Sequence, residues 1–68
     1  MSKQISKIVH TETIELSEDH YFVLQKWGNG KWTCEVNRID AYLGTADGGN
    51  QMHTVIEAMK IVLRDRNY

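Results

Sequence analysis

The sequence contains no proline and only one cysteine, and neither sign of charge is in clear excess. Without proline, no residue is present that breaks helices and inner strands, which suits a few regular elements joined by glycine turns. The single cysteine, Cys34, excludes an internal disulfide framework and fits a reducing compartment. The formal net charge of −1 lacks the basic excess that is typical of general nucleic-acid binders.

Long apolar runs are also missing. No segment reaches the roughly 18 consecutive apolar residues of a membrane-spanning helix. The opening residues, MSKQISKIVH, hold no apolar stretch of signal-peptide length. We therefore expect a cytoplasmic protein with no membrane partner and, because the chain begins at Met1, a complete small reading frame.

What remains is an ordinary globular composition, with 41% hydrophobic and 25% charged residues in a chain of 68. A chain this short forms one domain, residues 1–68, and buries only about 60% of its unfolded surface, which leaves little room for a deep active site. The soft metal ligands His10, His20, His53 and Cys34 lack the close spacing of zinc sites, and no nucleophile motif is present. We predict no metal, no cofactor and no enzymatic activity.

The hydrophobic pattern predicts an α+β fold. Runs rich in aromatic and β-branched residues predict strands at about 8–16, 20–27, 31–37 and 41–45, after a polar segment, 1–7, that is expected to fray. Apolar residues at helical spacing predict a C-terminal helix at about 51–66, which starts at either Asn50 or Thr54. We expect a three- or four-stranded antiparallel sheet with this one helix packed on one face.

The stretch QKWGNGKWTCEV, residues 25–36, determines which sheet face is apolar. A two-residue turn at 29–30 would leave both faces mixed. A three-residue turn at 28–30, with Gly30 in the left-handed conformation, places the apolar residues on one face. Because a slip of one residue exchanges the faces, we favour the three-residue turn. It predicts the pairs Phe22–Val36, Leu24–Cys34 and Lys26–Trp32, and it places Trp32 inside and Trp27 outside.

A four-residue loop at 37–40 would extend the same face by pairing Val36 with Ala41 and Cys34 with Leu43. The helix is expected to cover this face. The predicted core then contains Ile14, Leu16, Phe22, Leu24, Trp32, Cys34, Val36, Leu43, Val55, Ile56, Met59 and either Val62 or Leu63.

The opposite, outer face of the predicted sheet carries an aromatic group. It consists of Tyr21, Trp27 and Tyr42 beside Val23, with Lys31, Thr33 and Glu35 between them. An uncovered aromatic group on so small a sheet is a candidate contact surface. Two other interpretations stay open, since aromatic residues also stabilise sheets by cross-strand pairing, and the N-terminal segment could fold over them.

Residues 29–59 resemble a small β-β-β-α family. The shared features are Gly30-Lys31-Trp32 at the start of a strand, Leu43-Gly44-Thr45 at the end of the third strand, and an alanine-containing helix behind them. The family includes the plant ethylene-response-type DNA-binding domain and the arm-site-binding domain of tyrosine recombinases.

In that family the outer sheet face enters the major groove of DNA. The resemblance implies that Lys31, Thr33, Glu35, Arg38 and Tyr42 would face DNA here, with Arg38 exposed in the second β-turn. This sequence departs from the family pattern, because only two of these residues are basic and Glu35 opposes phosphate binding.

We therefore expect a small non-enzymatic protein, of the kind that phages and mobile elements encode, that binds and modulates or inhibits a host protein. Aromatic anchors among polar groups fit such an interface. The predicted partner-binding residues are Tyr21, Trp27, Lys31, Thr33, Glu35, Arg38 and Tyr42. The alternative is sequence-specific DNA binding through the same face, and a homodimer formed by that face is a third possibility.

Overall fold

The computed structural model describes residues 7–66, with the backbone alone at Arg66. The elements are β1 (Ile8–Glu15), β2 (His20–Trp27), β3 (Trp32–Arg38), β4 (Ala41–Gly48) and α1 (Gln51–Arg66). The strands form one antiparallel sheet in the order β1-β2-β3-β4, and α1 packs on one face of it. This confirms the predicted fold class. Except for Lys7, the segment that was expected to fray lies outside the described residues, and so does the open interpretation in which this segment folds over the outer face.

The β2–β3 hairpin has the predicted three-residue turn. Gly30 adopts a positive φ of 89°, its N–H donates to the Trp27 carbonyl at 2.9 Å, and the Trp27 N–H donates to the Lys31 carbonyl at 2.8 Å. The register pairs Phe22 with Val36, Leu24 with Cys34 and Lys26 with Trp32, so the prediction is confirmed.

The predicted register between β3 and β4 is wrong. The turn contains two residues, 39–40, and Arg38 pairs with Ala41. The pairing then shifts between Asn37 and Val36, where Leu43 is an extra residue in β4, so Cys34 pairs with Ala46 instead of Leu43. This bulge depends on Gly44, whose φ of 153° is a conformation that other residues rarely adopt.

The core lies between the sheet and α1. Its buried apolar residues are Phe22, Leu24, Cys34, Val36, Ala46, Ala58 and Val62, and the partly buried residues Ile14, Trp32, Leu43, Val55 and Ile61 pack against them. Three residues of the predicted core, Leu16, Ile56 and Met59, are instead 37–49% exposed, and of the two alternatives Val62 and Leu63 it is Val62 that is buried. The helix is therefore rotated relative to the prediction.

The rotation follows from a close approach between α1 and the end of β4. Thr54 is fully buried, and its hydroxyl donates to the Asn50 carbonyl at 2.7 Å. A Cβ added to Gly48 would lie only 2.7 Å from the Thr54 Oγ1 atom. Since the contact of Thr54 with Gly48 leaves no room for a larger side chain there, α1 turns Thr54, Ala58 and Val62 toward the sheet and part of its other apolar residues outward.

Asn50 is the N-cap of α1, because its Oδ1 atom accepts the His53 N–H at 2.8 Å. Of the two predicted helix starts, Asn50 is therefore correct and Thr54 is wrong. The helix contacts β4 and β3 above all and β2 only slightly, and it has no contacts with β1 in the described chain. Among residues 7–66, no helix is long and apolar enough to cross a membrane.

Candidate interaction surfaces

The outer sheet face is open in the part of the chain that the structure describes. Strand alternation brings Tyr21, Trp27, Thr33, Glu35 and Tyr42 to this face, on the side of the sheet opposite α1. None of these side chains is fully buried, and Tyr42 is 63% exposed. Five of the seven predicted contact residues therefore share one surface.

Hydrogen bonds hold two aromatic residues of this face, Trp27 and Tyr42, in place. The Trp27 Nε1–H donates to the Thr33 hydroxyl at 2.8 Å, and that hydroxyl donates to the Gln25 Oε1 atom at 3.0 Å. The hydroxyls of Tyr42 and Thr45 are also hydrogen-bonded to each other. Neutral groups make all of these bonds, so the outer face presents fixed rings without adding positive charge.

The charge of the outer face is unfavourable for DNA. The charged residues that the four strands present there are Glu15, Glu35 and Asp47. Lys31 lies at the edge of the face, exposed at the end of the β2–β3 turn, and its Nζ atom is 3.7 Å from an Asp47 carboxylate oxygen. Acidic groups therefore dominate the surface that would have to meet phosphates.

Arg38 does not lie where the family resemblance implied. It is the last residue of β3, and its guanidinium turns to the helix side, where Nη1–H donates to both Asp65 carboxylate oxygens at 3.2 and 3.4 Å. Its Nε–H donates to Asp40 at 2.7 Å, and this hydrogen bond holds the pKa of the Asp40 carboxyl below its usual range. Arg38 is therefore separated from the other predicted contact residues.

Asp65 also pairs with His20, in a cluster that sequence reasoning missed. The His20 Nε2 and Asp65 Oδ2 atoms are 3.0 Å apart, and the two side chains are only 10% and 16% exposed. The hydroxyl of nearby Ser17 accepts the backbone N–H groups of Asp19 and His20, as in an ordinary turn. We interpret the cluster as a contact that holds the C-terminal end of α1 against the sheet. No local motif could have indicated it, because the two residues lie 45 positions apart.

Cys34 lies in the core and not at a surface. Burial, and to a lesser extent the nearby Glu35 carboxylate, raises the pKa of the thiol to about 11. A thiol with such a pKa is a poor nucleophile at neutral pH. Within residues 7–66, no group of three or more His, Cys, Asp and Glu side chains is placed to hold a metal ion.

The exposed side of α1 carries an apolar stripe that includes Ile56 and Met59, two residues of the predicted core. The outer stripe consists of Met52, Ile56, Met59 and Leu63, which are 73%, 49%, 42% and 52% exposed. Their spacing of four, three and four residues keeps them in line along the helix.

Three charged residues of α1 occupy a different side of the helix from the outer stripe. Glu57, Lys60 and Arg64 line a shallow hollow together with residues 45–47 of β4. Within this group, the Lys60 Nζ–H donates to the Glu57 carboxylate at 3.0 Å. Glu57, Lys60 and Arg64 therefore do not interrupt the outer stripe.

The chain matches no protein-family model, no curated protein and no solved structure among those compared. Its antiparallel strands followed by a C-terminal helix agree with the β-β-β-α topology, but no family match confirms membership of the family that residues 29–59 resemble. The class that the fold defines is a small α+β domain, and its functional assignment depends on its surfaces.

Proposed function

We propose that this chain is a small non-enzymatic protein-binding domain that modulates or inhibits a protein partner, with the outer stripe of α1 as the principal contact. The observation that supports this proposal is the exposure of Met52, Ile56, Met59 and Leu63, although another side of the same helix fills the core. Contiguous exposed apolar residues mark interaction sites more often than scattered ones.

The spacing of the stripe supports a particular mode of recognition. Anchors at i, i+4, i+7 and i+11 are typical of a helix that lies in an apolar groove of its partner. The charged side of α1 would then form the polar rim of the contact. The outer sheet face, with Tyr21, Trp27 and Tyr42, is a second surface available to the same or another protein.

The alternative function is DNA binding through the outer sheet face. The β-β-β-α topology favours it, whereas the acidic residues on that face and the position of Arg38 on the opposite side of the sheet oppose it. We therefore place protein binding first.

Site-specific photocrosslinking in the source cells tests the proposal. A photoreactive residue at Ile56 should capture a partner protein, whereas the same residue at Arg64, on the charged side of α1, should capture less of it. The captured protein is then purified, and its affinity is measured by calorimetry. Ile56→Lys should weaken binding by at least about 30-fold, as expected for an anchor residue, and Arg64→Ala should have little effect.

Two results would contradict the assignment. Capture from Tyr42 with no effect of Ile56→Lys would move the contact to the outer sheet face. Binding to duplex DNA that is strong at low salt and is lost steeply as salt increases would favour the DNA alternative, because phosphate contacts release counterions. Thermal melts of each variant establish that the folded domain is being compared.

A further inference from the structure

β1 is an edge strand that little else in the described chain covers. Its only strand neighbour is β2, and α1 does not contact it. Seven of its eight residues are exposed, and Ile8 and Val9 are 42% and 59% exposed. An uncovered edge of this length is a surface on which another strand can add.

The backbone of β1 directs regularly spaced hydrogen-bonding groups to this free edge. Trp27 bonds through its N–H and its carbonyl to the β3 side, and His20 accepts the Leu16 N–H on the β1 side. Because these directions alternate along an antiparallel strand, the even-numbered residues of β2 bond to β1. Their β1 partners are also even-numbered, so Thr11 and Thr13 direct their N–H and carbonyl groups to the free edge.

The side chains of β1 are complementary to those of a second, antiparallel β1. If two copies meet at Thr11, His10 of one lies opposite Glu12 of the other, and this pair occurs twice. In the same register Val9 lies opposite Thr13, and Lys7 opposite Glu15, although the bulge at Val9 interrupts the regular pairing there. At both ends of the paired strands, Lys7 of one copy faces Glu15 of the other. The residues whose backbone groups point to the free edge lie opposite each other, so their N–H and carbonyl groups can bond across the dimer.

We propose that β1 pairs with β1 of a second copy about a two-fold axis at Thr11, which joins the two sheets into one antiparallel sheet of eight strands. The occupant of this edge is therefore another copy of the chain. This dimer does not depend on the protein partner of the outer stripe. Both helices lie on the same face of the joined sheet, each above its own β3 and β4.

Sedimentation equilibrium of the full chain and its charge variants tests the pairing. His10→Glu places carboxylates opposite Glu12 and should weaken the dimer by roughly tenfold, and Glu12→Lys should weaken it as well. The double variant with both changes restores opposite charges and should recover most of the lost affinity. Because His10 Nε2 also lies 3.4 Å from Glu12 Oε1 of its own strand, the double variant restores that local pair as well. An equimolar mixture of the two single variants restores opposite charges only across the dimer, and it should associate more tightly than either variant alone.

A second variant blocks the edge itself. Thr11→Pro removes an N–H that bonds to nothing within the sheet, so the monomer should keep its melting temperature while the dimer is lost. Ile56→Lys is the matched control on the outer stripe and should leave the dimer intact.

Three outcomes would overturn the proposal. The first is a chain that stays monomeric at millimolar concentration. The second is a double charge variant that associates no better than the single variants. The third is a dimer that Ile56→Lys dissolves and Thr11→Pro does not, which would assign self-association to the helix.

Discussion

Replacing Gly48 with alanine tests whether the close approach of α1 to β4 fixes the position of the helix. The new Cβ would lie 2.7 Å from Thr54 Oγ1 and 3.3 Å from the Thr54 nitrogen. Both separations are shorter than ordinary contacts, so one group must move. Thr54 cannot rotate freely, because its buried hydroxyl donates to the Asn50 carbonyl.

The magnitude follows from the two ways of relieving this contact. Rotating Thr54 leaves a buried hydroxyl without its partner, which costs about 1–3 kcal/mol, and moving the helix away costs a similar amount through lost packing. Alanine would otherwise be favoured over glycine in a strand by roughly 0.5–1 kcal/mol. We therefore expect Gly48→Ala to lower the free energy of unfolding by about 1–2 kcal/mol.

Urea unfolding followed by circular dichroism measures this change. The matched control is Gly49→Ala, because an added Cβ there meets nothing within 4 Å. That variant should be neutral or slightly stabilising. In thermal melts, Gly48→Ala should lower the midpoint by about 4–8 °C for each kcal/mol lost.

A double variant gives the decisive result. Thr54→Ala removes the oxygen that the new methyl group would meet, so Gly48→Ala should cost less in that background by about 1 kcal/mol. Strictly additive effects, or equal losses from Gly48→Ala and Gly49→Ala, would refute the explanation of the helix rotation.

Three further predictions follow from the core and the Asp65 cluster. Asp65→Ala should cost about 1–3 kcal/mol because it leaves His20 without its partner, whereas Glu57→Ala breaks only an exposed pair and should cost under about 0.5 kcal/mol in urea unfolding. The buried Cys34 thiol stays protonated to about pH 11, so above pH 9.0 the unfolded chain ionises first and the free energy of unfolding should fall by roughly 2–3 kcal/mol by pH 11. Cys34→Val should lack that share of the fall, and an identical pH profile for both proteins would contradict it. Trp32→Ala should lower the melting temperature more than Trp27→Ala, because Trp32 packs against the core and Trp27 lies on the open face; equal losses would contradict the face assignment.

The β2–β3 register could be predicted from sequence because two independent signals agreed. The apolar residues separated onto one face only with a three-residue turn, and Gly30 supplied the backbone conformation that this turn requires. The next hairpin gave no such agreement. The bulge at Leu43 lets that side chain reach the core although its strand partner differs from the predicted one, so alternation alone could not locate it.

The orientation of α1 could not be predicted for a related reason. Apolar residues occupy more than half of its circumference, so helical periodicity alone cannot indicate which side meets the sheet. The contact of Thr54 with Gly48 at the end of β4 determines the answer, and the small residue Ala58, one turn further along α1, is buried on the same side. The role of Arg38 was missed because its partner Asp65 is distant in sequence.

The two sides of α1 place different constraints on how the sequence of this protein can evolve. Thr54 and Ala58 hold the fold, and substitutions there alter the packing distance to the sheet. The outer stripe lies outside the buried core, so exchanging its residues should cost less stability than exchanging Thr54 or Ala58. Single substitutions along the outer stripe can therefore change which partner the helix binds. The inner side of α1, and with it the fold, stays the same.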